Sequence, residues 1–114
     1  MALIKWQTNA RTHLRSIFNY YKKNVSLKVA SAIRDTIVTS VDILENFPAS
    51  GTVDFELSTQ DTTYFFVVAQ KGKRTYRVYY IYENDTCYIL AIWDNSMNPS
   101  RRKRRVVPKK GMLK

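Results

Sequence analysis

The hydrophobic periodicity of the chain changes once, near residue 50, and this change restricts the folds open to it. Before that point apolar residues recur every three to four positions, the spacing of amphipathic helices. After it, three runs rich in β-branched and aromatic residues alternate with short polar turns, which is typical of an antiparallel meander. The 114 residues have room for one domain, so the helices and strands are expected to share one core.

Two helices are predicted before residue 50. Asn9 can cap the first, which extends to about Lys22, and Ser26 is a candidate N-cap for the second. Pro48 and Gly51 would end the second helix after about residue 47. The apolar positions are Ala10, Leu14, Ile17, Phe18 and Tyr21 in the first helix, and Ala30, Ile33, Ile37, Val41 and Leu44 in the second. The connection between them is short, which predicts an antiparallel hairpin.

Four strands are predicted around this hairpin, a short one within residues 2–8 and three in the ranges 64–69, 75–82 and 86–93. The last two runs are apolar on both faces, which indicates strands covered from both sides. The economical architecture is α+β. It is a two-helix hairpin packed on a three- to four-stranded antiparallel sheet, in the order β-α-α-β-β-β.

The net charge of +10 is concentrated at one end of the chain. Residues 101–114 hold eight of the 19 Lys and Arg residues and no acid, which leaves eleven basic and nine acidic residues before them. We therefore divide the chain into a domain of residues 1–99 and a basic C-terminal tail of residues 100–114. The tail is either solvated and mobile, or an arm that binds RNA, DNA or the ribosome electrostatically. The binding residues would be Arg101, Arg102, Lys103, Arg104 and Arg105.

The usual catalytic and metal-binding constellations are missing from the sequence. With one cysteine and one histidine, Cys87 and His13, we expect neither a metal site nor a cofactor. His13 is predicted to be exposed or satisfied within its helix, and Cys87 to be a small buried side chain. Asp54 and Glu56 are predicted to be solvated loop carboxylates. The longest apolar run has seven residues, too few to span a bilayer, so we expect a cytoplasmic protein without a membrane partner.

Arg77 is a charged residue in the middle of a predicted apolar strand. Strand alternation places it on one face with Tyr79 and Ile81, and Tyr76, Val78, Tyr80 and Tyr82 on the other. A charged side chain there needs a partner, an anion or a cleft. Lys71, Lys73 and Arg74 lie near one end of the same strand. These four cations form either a phosphate-facing patch or a basic hairpin tip in water, and the aromatic face either stacks bases or packs in the core.

Three segments together resemble the RelE/ParE superfamily of bacterial toxin–antitoxin toxins. They are LENFPASG at 44–51, YRVYYIY at 76–82 and YILAIWDNSMNP at 88–99. In a familiar branch of the family the corresponding pieces read FPxSG, YRVLY and an aliphatic run closing in WDxRQNP. The resemblance extends from about residue 6 to residue 99, so it covers the domain of residues 1–99 and implies the β-α-α-β-β-β fold.

The resemblance also implies a choice between two activities. RelE-like members cut messenger RNA on the ribosome with a Lys/Arg cluster. A lysine crowded by cations can take the proton of the attacking 2′-hydroxyl, and an arginine can clamp the phosphate. ParE-like members lack a complete nuclease set and inhibit DNA gyrase by binding it. On this basis we predict a toxin that a cognate antitoxin holds inactive, with ribosome-dependent mRNA cleavage as its activity. Gyrase inhibition is the alternative, and a non-toxic nucleic-acid-binding module is a further one.

The same resemblance assigns the candidate catalytic residues. Arg77 matches the strand arginine of the YRVLY motif, and Lys71, Lys73 and Arg74 are the counterparts of the basic cluster. Two departures bear on cleavage. Ser96 stands where the WDxRQNP pattern has arginine, and no Tyr or His follows Tyr88 to act as the C-terminal acid.

Overall fold

Three helices and five strands follow one another in a computed structural model that describes residues 1–108. The elements are β1 (Leu3–Trp6), α1 (Thr8–Asn24), α2 (Leu27–Thr39), β2 (Thr52–Val53), β3 (Phe65–Lys71), β4 (Arg74–Glu83), β5 (Thr86–Asp94) and α3 (Arg102–Val106). Among these residues, no helix is both long and apolar enough to cross a bilayer.

The strands form one sheet in the order β1-β5-β4-β3-β2. The α+β class and the meander from β3 to β5 are confirmed, but the sheet has five strands rather than three or four, and it is mixed. β1 pairs with β5 in parallel, with Leu3 opposite Thr86. The reason is topological: the α1–α2 hairpin carries the chain across one face of the sheet before the meander begins. A short β2 of two residues adds the remaining edge.

Local signals account for most of the element boundaries. The predicted Asn9 cap is wrong, because α1 begins at Thr8 and its N-cap position is Gln7, which makes no side-chain cap bond. Ser26 caps α2, as predicted, because its Oγ accepts a hydrogen bond from the Val29 N–H at 3.1 Å. Asn84 and Asp85 both have positive φ in the turn between β4 and β5, which suits a tight two-residue hairpin. The predicted helix to residue 47 is too long, since α2 ends at Thr39 and a 3-10 turn occupies Asp42–Glu45. The Ser40 hydroxyl donates to the Ile37 carbonyl at 2.6 Å, a bond that competes with helix continuation.

Buried side chains form one cluster on each face of the sheet. The inner cluster lies between the sheet and the α1–α2 hairpin, and includes Ala10, Ile33, Ile37, Leu44, Val78, Tyr80, Ile89 and Ile92. The outer cluster includes Leu57, Tyr64, Tyr79, Ile81, Leu90, Trp93 and Val106. The two-sided cover predicted for β4 and β5 is therefore confirmed. The outer face is closed by the segment before β3 and by α3, which the sequence-based architecture did not include.

Two segments that carry the family resemblance meet at Gly51. A Cβ at this position would lie 2.5 Å from the Tyr80 hydroxyl oxygen, closer than side chains approach. The Gly51 N–H also donates to that oxygen at 2.9 Å. Glycine is therefore required where residues 44–51 end, because Tyr80 of β4 packs directly against the backbone there.

Candidate functional site

The sheet divides the four predicted catalytic cations between its two faces. Arg77 lies on the outer face, at mid-strand in β4. Arg74 lies on the inner face, where its guanidinium carbon is 4.7 Å from the centre of the Tyr21 ring of α1. Lys71 is opposite Arg74 in the β3–β4 ladder, and Lys73 is in the turn. Because a strand rises by about 3.4 Å per residue, Arg74 and Arg77 are about 10 Å apart along β4.

The tip of the β3–β4 hairpin borders a cavity of about 380 Å³ on the inner side of the sheet. Lys73 and Arg74 form one wall, and the rest of the lining includes Tyr21, Tyr76, Asp94 and Ser96. Tyr76 is 2% exposed, and this burial, together with the neighbouring Tyr21, raises the pKa of its hydroxyl. The structure thus brings Lys73 and Arg74 together with Lys71 beside them, and keeps them apart from Arg77.

Arg77 is held within a network on the outer face. Its Nη1 donates to the Tyr79 hydroxyl at 3.2 Å and lies 4.0 Å from Asp54 Oδ2. Its guanidinium carbon is 4.3 Å from the centre of the Phe66 ring, a cation–π contact. Tyr79 in turn donates to Asp54 Oδ2 at 2.7 Å. Burial raises the pKa of Tyr79 to about 12; Arg77 opposes this shift and Asp54 adds to it.

Asp54 corrects one expectation from the sequence. It is 6% exposed, whereas we predicted a solvated loop carboxylate. Its Oδ1 accepts hydrogen bonds from the backbone N–H groups of Glu56 at 3.0 Å and Leu57 at 3.1 Å, a turn that aspartate favours. Glu56 itself is exposed, as predicted.

The predicted tail contributes a second arginine to this network. Arg102 Nε lies 3.5 Å from Asp54 Oδ2, and Arg102 Nη2 donates to Glu56 Oε2. Arg77, Arg102, Asp54 and Glu56 line one open pocket of about 360 Å³, so its two positive and two negative groups balance formally. The exposed side chain of Phe55 also lines this pocket.

The start of the predicted tail is folded against the sheet. Residues Pro99–Arg101 form a 3-10 turn, and α3 follows it. Val106 is 2% exposed in the outer cluster, and Arg105 Nε donates to the Ile92 carbonyl at 2.9 Å. A solvated, mobile tail is therefore the wrong description of residues 100–107. Lys109, Lys110 and Lys114, the last cations of the predicted tail, lie outside the described residues.

His13 is a satisfied histidine, as predicted. Its Nδ1 accepts a hydrogen bond from the Ile92 N–H at 3.2 Å. Burial lowers the pKa of His13 to about 4, and the charge of Arg105 adds to the shift, so the ring is neutral at pH 7. Cys87 is fully buried, which confirms the sequence-based prediction. Within residues 1–108, no group of three or more His, Cys, Asp or Glu side chains is placed to hold a metal ion.

Comparison with known proteins agrees with the resemblance seen in the sequence. Residues 4–99 match the family described as "ParE toxin of type II toxin-antitoxin system, parDE". A solved structure titled "Chromosomal ParDE TA system from P. aeruginosa" shares the fold, with a TM-score of 0.65 and 17% sequence identity over 82% of this chain and 96% of that chain. No curated protein matches the chain in sequence. The family match spans most of the chain and includes all three motif segments, so the chain belongs to the ParE toxin family of type II toxin–antitoxin systems.

Proposed function

We propose that this toxin inhibits DNA gyrase by binding it, and that it does not cut RNA. The observation that carries the proposal is the charge balance around Arg77. Two guanidinium groups, of Arg77 and Arg102, face the carboxylates of Asp54 and Glu56. A site that cleaves RNA needs surplus positive charge where the phosphoryl oxygens become more negative. In this pocket the positive and negative charges cancel.

In the described part of the chain, no lysine lies beside Arg77 to act as the base, and the two nearby carboxylates, of Asp54 and Glu56, are paired with arginines. Val68 of β3 and Trp93 of β5 are its cross-strand partners, and Phe66 stacks on it. The lysines nearest in sequence, Lys71 and Lys73, are at the hairpin tip, beyond the inner-face Arg74. Removal of the 2′-hydroxyl proton requires a base within hydrogen-bond reach of it. Ser96, and the lack of a Tyr or His after Tyr88, support the same conclusion.

The hairpin-tip cations remain our proposal for the functional patch, now as a surface that contacts the target. Lys71, Lys73 and Arg74 are exposed. None of them has a carboxylate within ion-pair distance in the part of the chain that the structure describes. Exposed and unneutralised cations attract an acidic or phosphate-bearing partner and speed its association. We assign Arg77 to the support of the outer face instead.

Membership of this family implies a cognate antitoxin. We propose that the antitoxin lays a helix or an extended segment across the α1–α2 hairpin, where large apolar side chains are exposed. They are Leu27 and Val38 of α2, and Ile43 and Phe47 just beyond it. An amphipathic segment would bury these side chains by the same physics that stabilises a helix in a groove.

Two measurements on the same protein separate the possible activities. The chain is induced without its antitoxin and mRNA 5′ ends are mapped, while purified protein is added to a gyrase supercoiling assay. We expect growth arrest, loss of supercoiling and no new 5′ ends. New 5′ ends with normal supercoiling would replace this proposal with a RelE-like ribosome-dependent nuclease. Normal growth and normal supercoiling would instead favour the non-toxic nucleic-acid-binding module.

Variants locate the contact surface. Lys73→Gln combined with Arg74→Gln should weaken gyrase inhibition by on the order of tenfold, equivalent to about 1.4 kcal/mol of binding free energy. Arg77→Met should keep most of the inhibition in protein that circular dichroism shows to be folded. The matched control, Arg11→Gln with Lys28→Gln, removes the same charge from the helical hairpin. If folded Arg77→Met loses inhibition and the hairpin-tip variant does not, then Arg77, and not the hairpin tip, contacts the target.

A further inference from the structure

The helical turn sorts the basic run 101–105 into two sides. Arg102 and Val106 are four residues apart, so they share the side of α3 that meets the outer face of the sheet. Arg101, Arg104 and Arg105 are spaced by three and four residues, which places them together on a different side. The pattern therefore separates one neutralised arginine from three others.

These three arginines line a third cavity, of about 530 Å³, between α1 and α3. Its remaining lining residues are Asn9, His13 and Met97, so the lining carries three guanidinium groups and no carboxylate. In the described part of the chain, Arg101 and Arg104 have no carboxylate within ion-pair distance. Like charges at this spacing repel one another, and a bound anion would remove that repulsion. The pocket at Arg77 differs, because its two arginines are balanced by two carboxylates.

The hydrogen bonds that His13 and Arg105 make within the fold also suit this cavity to an anion. His13 Nδ1 is already occupied as an acceptor for the Ile92 N–H, so the neutral ring carries its hydrogen on Nε2 and presents a donor. Arg105 is fixed through Nε to the Ile92 carbonyl at 2.9 Å, which holds its guanidinium group in place and leaves the Nη groups to donate. A fixed guanidinium fork pairs well with phosphate oxygens.

We infer that this cavity binds phosphate groups of a nucleic-acid backbone. A polymer fits better than a free ion, because the cavity is open and far larger than one phosphate. The inference goes beyond the proposed gyrase inhibition and does not depend on it, because it concerns a different surface from the hairpin tip.

The test uses the full chain and a 20-base-pair DNA duplex. His13 is the one histidine of the sequence, so its ring resonances report binding at this cavity without ambiguity. The duplex should shift them. Arg101→Gln with Arg104→Gln should weaken duplex binding at least tenfold in about 0.1 M salt. It should also reduce the slope of log affinity against log salt by about 1.8, that is, two phosphate contacts at about 0.9 each.

A control variant and two competitors make the result decisive. Lys22→Gln with Lys23→Gln removes the same charge from the far end of α1, and it should leave the slope and the His13 shift unchanged. Equal losses in the two double variants would show that net charge alone drives binding, which overturns the inference. So would a duplex that binds without moving the His13 resonances. A shift caused by inorganic phosphate but not by duplex, or equal competition by a glutamate-rich peptide, would also overturn it.

Discussion

A single buried carboxylate, that of Asp54, joins three separate parts of the chain. It holds the turn that follows it, the hydroxyl of Tyr79 on β4, and Arg102 of α3. A lone aspartate in a polar segment gives no sequence signal of burial, and its tyrosine partner is 25 residues away.

The prediction for Arg77 was more successful. A charged residue in an apolar strand was expected to need a partner, and the partners proved to be Tyr79, Phe66 and the Asp54 carboxylate.

Removal of the Asp54 carboxylate should destabilise the fold strongly. Asp54→Ala leaves the Tyr79 hydroxyl without its buried acceptor, removes the carboxylate that is ion-paired with Arg102, and leaves two backbone N–H groups without their acceptor, so we expect a loss of about 3 kcal/mol of unfolding free energy. Glu56→Gln removes the other carboxylate of the pocket from an exposed position, and should change stability by less than about 0.5 kcal/mol. Urea denaturation of both variants measures the difference. Equal midpoints would mean that Asp54 does not hold the outer face together.

His13 should make stability depend on pH in the acidic range. Its pKa is about 4 in the folded chain against 6.5 in the unfolded chain, so the unfolded state binds more protons between these values. Stability is then complete above pH 6.5 and falls as the pH drops towards 4. His13→Gln keeps an acceptor for the Ile92 N–H but cannot titrate. It should cost about 1 kcal/mol at pH 7 and flatten the decline, as measured by urea midpoints from pH 7.5 to 4.5. An equally steep decline in the variant would contradict this origin.

At the scale of elements, local signals predicted well and distant pairings did not. The Ser26 cap, the turn at residues 84–85 and the three meander strands follow from short stretches of sequence. The parallel pairing of β1 with β5 joins residues far apart in the chain, and no local pattern shows it. The helix α3 was missed for a different reason. Four of its five residues are basic, and Val106, which docks it, is the one apolar residue at its end.

The docking of α3 can be measured through Val106. Val106→Ala removes two methyl groups from the outer cluster, so we expect a loss of about 1–2 kcal/mol. Lys103→Ala lies on the same short helix but is exposed, and it should change stability by less than about 0.5 kcal/mol. Thermal unfolding followed by circular dichroism compares the two. If Val106→Ala is as stable as Lys103→Ala, the segment after residue 99 does not contribute to the folded domain.

At the scale of the whole molecule, the sheet acts as a partition. The sequence predicted which residues of β4 lie on each face of the sheet, and it located the cations. It did not predict which segments cover the outer face. The four predicted catalytic cations therefore looked like one patch along the chain, whereas the sheet separates Arg77 from the hairpin tip. The overall charge was misleading in the same way. Arg102 is neutralised within the fold, and three other arginines of the same run face a separate cavity.

The two clusters share β4 and β5, so we expect them to unfold together even though they lie on opposite faces. The two tryptophans of the chain report on them separately, because Trp6 packs against the inner cluster and Trp93 belongs to the outer one. Each of the variants Trp93→Phe and Trp6→Phe keeps one tryptophan. In each, the urea midpoint measured by the fluorescence of that tryptophan should equal the midpoint measured by circular dichroism. Coincident transitions of this kind are the mark of two-state unfolding. If Trp93 responds at lower urea than circular dichroism, α3 and the outer cluster open before the rest of the sheet, and the toxin is not one cooperative unit.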